Sequence, residues 1–93
     1  MTVQFDDDVG FEGAALIGWA NVGKQRIRCL AARAAINELP EFLNASAAEI
    51  RSRKREIFEK LKPEFVKKIE SEQLDRSTIP SVTIDWRDLH AHH

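Results

Sequence analysis

The chain has 93 residues, enough for one domain with one modest core. It is 43% hydrophobic and 31% charged, the composition of an ordinary globular protein, and 14 basic against 15 acidic side chains leave a net charge of −1 that removes bulk electrostatics as a guide to function. A single cysteine excludes an intramolecular disulfide and a cysteine-rich zinc site.

Met1 to Asp8 has neither the basic start nor the apolar run of a signal peptide. No apolar stretch approaches the ~20 residues needed to span a bilayer. A cytoplasmic location is the expectation.

Val3 and Phe5 alternate with Thr2 and Gln4, a short strand that Asp6, Asp7 and Asp8 cut off. Gly10 and Gly13 frame Phe11 and predict a loop. From Ala14 to Val22 the chain is nearly all apolar, with Leu16, Gly18 and Ala20 on one face and Ile17 and Trp19 on the other. Asn21-Val22-Gly23-Lys24 turns it into a second strand, Gln25 to Leu30, with Arg26 and Arg28 on one side and Ile27 and Cys29 on the other. Cys29 on the apolar side is expected to be buried and unreactive.

The period then changes. Leu30, Ala34, Ala35 and Leu39 predict a short helix over about 32–38, stopped by Pro40. Ser46-Ala47-Ala48-Glu49 fits a capping box and opens a long helix. Its apolar stripe is Ile50, Ile57, Phe58, Leu61, Phe65 and Ile69, and its opposite face carries Arg51, Arg55, Glu59, Lys62 and Glu70. Pro63 removes a backbone donor and predicts a kink or two abutting helices there. Ser77-Thr78-Ile79-Pro80 leads into a last strand, Ser81 to Trp86, with Val82, Ile84 and Trp86 on one face.

This order predicts an α+β fold. It is a small two-layer sandwich whose mainly antiparallel sheet combines an N-terminal strand, a β-hairpin and a C-terminal strand, with a short and a long, Pro-kinked helix on one face. Residues 1–89 are expected to form a single domain and 90–93 a His-rich C-terminal tail.

The hairpin ending in Ile27-Arg28-Cys29, the alanine-rich short helix, the long charged helix with Ile57 after Lys54, and the final strand together resemble the small bacterial proteins grouped as domain of unknown function 1488. The resemblance runs from Val3 to about Leu89. Where members of that family start the short helix with a serine and an acidic residue, this chain has Ala32 and Ala34. The resemblance implies the fold and a bacterial type of protein, and it brings no catalytic or binding residue with it.

Candidate chemistry is sparse. His90, His92 and His93 are the only imidazoles, and they cluster on the tail rather than on separate rigid elements, so no metal site is expected. Asp6, Asp7 and Asp8 read as a solvated turn. The glycines form no phosphate loop, since no Gly-Lys-Ser/Thr or GxGxxG pattern opens a helix. With no internal histidine and no tyrosine, neither an enzyme nor a cofactor is expected.

Two binding readings remain. The first is a small interaction or regulatory module, presenting Ile17, Trp19, Arg26 and Arg28 as a partner or self-association surface. The alternative is a nucleic-acid-associated protein using a basic face of Arg26, Arg28, Arg51, Arg53, Lys54 and Arg55. Against it, the hairpin arginines and the helical group are expected on different faces, and Glu49, Glu56 and Glu59 dilute the helical charge.

Overall fold

Two tight turns organise the sheet. In the computed structural model, which describes residues 2–74 and 79–90, Val22 faces Gln25 across a loop of only Gly23 and Lys24. Gly23 takes a left-handed φ of 60°, at the loop position where a II′ hairpin turn takes glycine. This joins β3 (Ala15–Val22) to β4 (Gln25–Ala31). Glu12 faces Ala15 across Gly13 and Ala14 in the same way, with Gly13 at φ 61°.

That second turn corrects the loop expected around Phe11. Gly10–Glu12 is a strand, β2, antiparallel to β3. β1 (Gln4–Phe5) pairs with the far end of the same β3 edge, so β1 and β2 act as one edge strand interrupted by the aspartates. Asp6 keeps one ladder bond, its N–H donating to the Trp19 carbonyl at 2.9 Å. On the other side β5 (Ser81–Ile84) runs parallel to β4. Among the described residues the sheet is thus five-stranded, in the order β1-β3-β4-β5 with β2 also on β3, and mostly antiparallel. A parallel neighbour requires a long crossover, and the helices supply it.

The crossover begins with α1 (Arg33–Ile36), shorter than expected. Its N-terminal cap, Ala32, contributes no side-chain hydrogen bond, and its N–H is instead donated to the Ile84 carbonyl at 3.0 Å. Pro40 opens a 3₁₀ turn, Pro40–Phe42, that buries Phe42 completely. α2 (Ala47–Ser52) is capped as expected at its start, the Ser46 hydroxyl accepting from the Glu49 N–H at 3.1 Å.

The long helix does break, but not at the proline. The interruption falls at Arg53, whose φ of −113° and ψ of 26° leave the helical region, and α3 (Lys54–Glu70) then runs through Pro63 as one helix. Pro63 is exposed rather than part of the apolar stripe, so the carbonyl its missing N–H leaves free faces the solvent side. The stripe itself is as expected: Ile50, Ile57, Phe58, Leu61, Phe65 and Ile69 are all buried.

The last strand stops two residues early. The Asp85 carboxylate accepts from the N–H of Arg87 at 2.8 Å, and the Asp88 carboxylate accepts from the N–H of Asp85 at 2.8 Å. This reciprocal cap starts α4 (Trp86–His90) and turns Trp86 out of the expected strand, 44% exposed. His90, expected to begin a tail, ends this helix. Residues 91–93, and Ser77 and Thr78 before the last strand, lie outside the described residues.

All helical burial falls on one sheet face. Leu16, Ala20, Ile27, Cys29, Ala31, Val82 and Ile84 point inward to meet Ile36, Phe42, Ile57, Leu61 and Phe65. Phe58 stands between Phe5, edge-on at 5.5 Å, and Phe65 at 5.4 Å. It approaches so closely that a Cβ on Gly18 would lie 2.3 Å from its ring. Among the described residues no helix is long and apolar enough to cross a membrane.

Candidate interaction face

The residues between the inward ones form the other face. On β3 these are Ile17, Trp19 and Asn21; opposite them on β4 stand Leu30, Arg28 and Arg26 in turn. Gly10 and Glu12 of β2 and Gln4 of β1 flank the first strand, while Ser81 and Thr83 of β5 flank the second. Ile17, Trp19 and Leu30 are half-buried although no helix lies over them among the described residues.

At Trp19 a neighbouring arginine supplies part of that cover. The Arg26 guanidinium lies 4.4 Å from the centre of the Trp19 ring and donates to the Asp6 carboxylate at 2.9 Å. Asn21 donates to the other oxygen of Asp6 at 2.8 Å. Arg28 reaches the opposite way, its guanidinium 3.8 Å from the Glu12 carboxylate. Arg28 stands opposite Trp19 and Glu12 opposite Ala15, so this reach crosses β3 at Ile17. The Arg26 guanidinium thus covers Trp19, and the Arg28–Glu12 pair spans β3 at the level of Ile17. Arg26 is well satisfied. Arg28 is not: among the described residues its Nε is buried without a hydrogen-bond partner, and Glu12 is beyond hydrogen-bond range.

The fold brings Ile17, Trp19, Arg26 and Arg28 together on one surface. It places Arg51, Arg53, Lys54 and Arg55 elsewhere, around the junction of α2 and α3 in the helical layer. Arg53 is fully engaged there, facing Glu41 at 3.4 Å, Glu49 at 3.6 Å and Glu56 at close range, with its guanidinium 4.5 Å from the Phe42 ring. Glu41 also binds Lys60 at 2.7 Å, and that hydrogen bond holds its carboxyl below the usual range. These pairs knit the helix junction together.

Alternation along the strands finds the four outward residues from sequence. It does not find Asp6 and Glu12, whose role depends on the register of the edge strand. Lys62, expected on the open helix face, sits instead with its ammonium 5.3 Å from Phe5 and 5.9 Å from Phe58, paired to Glu59 at 2.6 Å. An i,i+3 glutamate next to a phenylalanine stripe was the available signal.

Other chemistry is limited. Cys29 is fully buried, and desolvation pushes its thiol up to about 12. A crevice of about 320 Å³ lies where the β2–β3 turn meets α1 and α2, walled by Phe11, Ala14, Ile50, Arg33 and Arg51. Arg33 is tied to Asn37 at 3.2 Å and to the Ala45 carbonyl at 3.1 Å, and among the described residues no carboxylate, thiol or imidazole lines the space. Among the described residues no group of three or more His, Cys, Asp or Glu side chains could hold a metal ion. The side chain of His90 and residues 91–93 lie outside that description.

No family model, no curated protein and no solved structure matches this chain.

Proposed function

We propose that this chain is a small cytoplasmic interaction or regulatory module, of the bacterial type it resembles, that binds a protein through its outward sheet face and catalyses no reaction. One observation carries the reading. A continuous sheet face bearing Ile17, Trp19 and Leu30 has no covering layer among the described residues. Tryptophan and arginine, the residue types most often dominant at protein interfaces, stand side by side on it.

The nucleic-acid reading uses the same Arg26 and Arg28. It ranks second because Arg26 is held by Asp6 and Arg53 by three glutamates. Neighbouring carboxylates oppose the counterion release that drives phosphate binding.

A photo-crosslinking residue placed at Asn21, on the outward face, or at Arg55, on the open side of α3, tests the proposal in cell lysate with and without nuclease. Discrete protein adducts from position 21, unchanged by nuclease, are expected. Equal labelling from both positions, or none from position 21, would remove the basis for it. Adducts lost on nuclease treatment would favour the nucleic-acid reading.

A further inference from the structure

We infer that the occupant of the outward sheet face is a second copy of this chain, joined about a two-fold axis that passes over Ile17. This rests on the reading of that face as an interface and specifies its partner.

The first argument is charge. Arg26 and Arg28 lie on β4, while Asp6 and Glu12 lie on the β1–β2 edge, and the apolar stripe of β3 runs between them. Basic and acidic groups therefore balance, and they stand on opposite sides of an apolar centre. A partner of one sign, whether a phosphate backbone or an acidic peptide, would meet repulsion over half of the face. A surface that is its own complement would not. An isologous interface demands this arrangement, because each contact from one residue to another is repeated in reverse.

The second argument is Arg28 itself. A guanidinium presents five N–H donors and is best satisfied by bidentate carboxylates. Here the side chain is 34% exposed, and Glu12, its one carboxylate neighbour among the described residues, stands at 3.8 Å, beyond hydrogen-bond range, with a side chain 68% exposed. Within one chain this pair is stretched across Ile17. A two-fold axis lying in the interface above Ile17, perpendicular to the line from Arg28 to Glu12, sets Ile17 against its own copy. The same axis brings each Arg28 over the other chain's Glu12. Trp19 and Leu30 then lose their remaining contact with water at the centre of the contact, where aromatic side chains dominate binding.

The experiment separates pairing within a chain from pairing between chains. Sedimentation equilibrium of the wild type should show a monomer–dimer equilibrium. Arg28→Glu and Glu12→Arg should each weaken it by at least about tenfold, because each places like charges across the axis in both contacts. Mixed in equal amounts, the two variants should recover a heterodimer. The two exchanged side chains then meet across one contact and the two native ones across the other, so both contacts join opposite charges. A pairing confined to one chain predicts no such recovery. Ile17→Glu, at the axis, provides a second variant that neither partner restores. Circular dichroism confirms that each variant is folded.

A wild type that stays monomeric at all concentrations, or variants that associate like the wild type, would overturn the inference. So would folded variants that fail to recover when mixed. A monomeric wild type whose position 21 still crosslinks to other proteins would leave the interface reading standing and remove only the second copy. Failure of both would remove the interface too.

Discussion

The two faces of the sheet are built from the same strands and answer to different physics. On the inward face of β3 and β4 stand Leu16, Ala20, Ile27, Cys29 and Ala31, all essentially inaccessible to water. One residue along, the outward face holds Ile17, Trp19, Arg26 and Arg28, none fully buried. Inward, apolar side chains meet other apolar side chains. Outward, Trp19 lies under the Arg26 guanidinium, whose charge remains at the surface. The first arrangement stabilises the fold through burial and packing. The second leaves area that a partner can still remove from water. A sheet covered on one face is therefore both a folding core and a potential interface, divided by a single step along the strand.

The sharpest way to break this comparison is through the core. Leu61 of α3 and Ile84 of β5 are both fully buried in one cluster. Leu61→Ala and Ile84→Ala should each cost about 2–5 kcal/mol, and the double variant should lose a large part of the roughly 5–15 kcal/mol that stabilises an ordinary domain. Arg55→Ala, on the open side of the same helix, should change stability by no more than about 0.5 kcal/mol. Urea denaturation of the three variants decides it. Similar losses for Leu61→Ala and Arg55→Ala would mean that the helical stripe does not face the sheet.

Gly18 tests how closely the layers approach. Its missing side chain leaves room for Phe58, which Phe5 and Phe65 hold in place from either side. Gly18→Ala should overpack the centre of the domain and cost about 1–3 kcal/mol, despite the higher strand propensity of alanine. Pairing it with Phe58→Leu should return part of the loss. If Gly18→Ala alone is neutral, the helical layer sits further from the sheet than 2.3 Å to a notional Cβ implies.

A smaller effect belongs to the seam between α3 and α4. Lys68 and Asp88 meet at 2.9 Å with side chains only 16% and 24% exposed. Partial burial works to raise the Asp88 pKa, but the Asp85 N–H and the Lys68 ammonium outweigh it, and the carboxyl is held below its usual range. A depressed folded-state pKa gives stability that is present above the unfolded pKa and lost as pH falls through the folded one. Asp88→Asn should therefore be less stable than wild type near neutral pH, and the gap should narrow as pH falls through and below the ordinary aspartate range. A gap independent of pH would assign the loss to helix capping, not to charge.

Much of this was legible in the chain because alternation reports faces directly. Strands at Ala14 to Val22 and Gln25 to Leu30, the Ser46 cap and the buried stripe from Ile50 to Ile69 needed only local periodicity. The misses are local: in each, one short signal sat beside another that pointed to a different element. Gly13-Ala14 is a two-residue turn, yet Gly10 and Gly13 together suggested a loop. Asp85 and Asp88 cap a helix, yet Val82, Ile84 and Trp86 suggested a longer strand. Pro63 drew the expected helix break away from Arg53, where three glutamates and Phe42 gather around one guanidinium. The outward face was legible as four residues. Its clamps, Asp6 and Glu12, required the register of β1 and β2 on β3 and were not.

The smallest expected effect sharpens the comparison most, because it asks whether the outward face helps to hold the fold. Arg26 pairs with Asp6 at 2.9 Å and covers Trp19, with side-chain exposures of 55% for Arg26 and 35% for Asp6. An exposed ion pair contributes about 0–1 kcal/mol and an exposed cation–π contact about 0.5–1 kcal/mol. Arg26→Ala should therefore destabilise the monomer by only about 1 kcal/mol, less in high salt, while Arg26→Met, which keeps the stem over Trp19, should lose less. Asp6→Ala should lose part of the same contribution, and the double variant should fall short of the sum because the two act on one contact. The measurement is a double-mutant cycle by urea denaturation, at protein concentrations below any association. A loss above about 2 kcal/mol for Arg26→Ala would mean the arginine clamp is part of the folding core. The outward face would then be closed by its own side chains, and the division between the two faces would fail at its most exposed point.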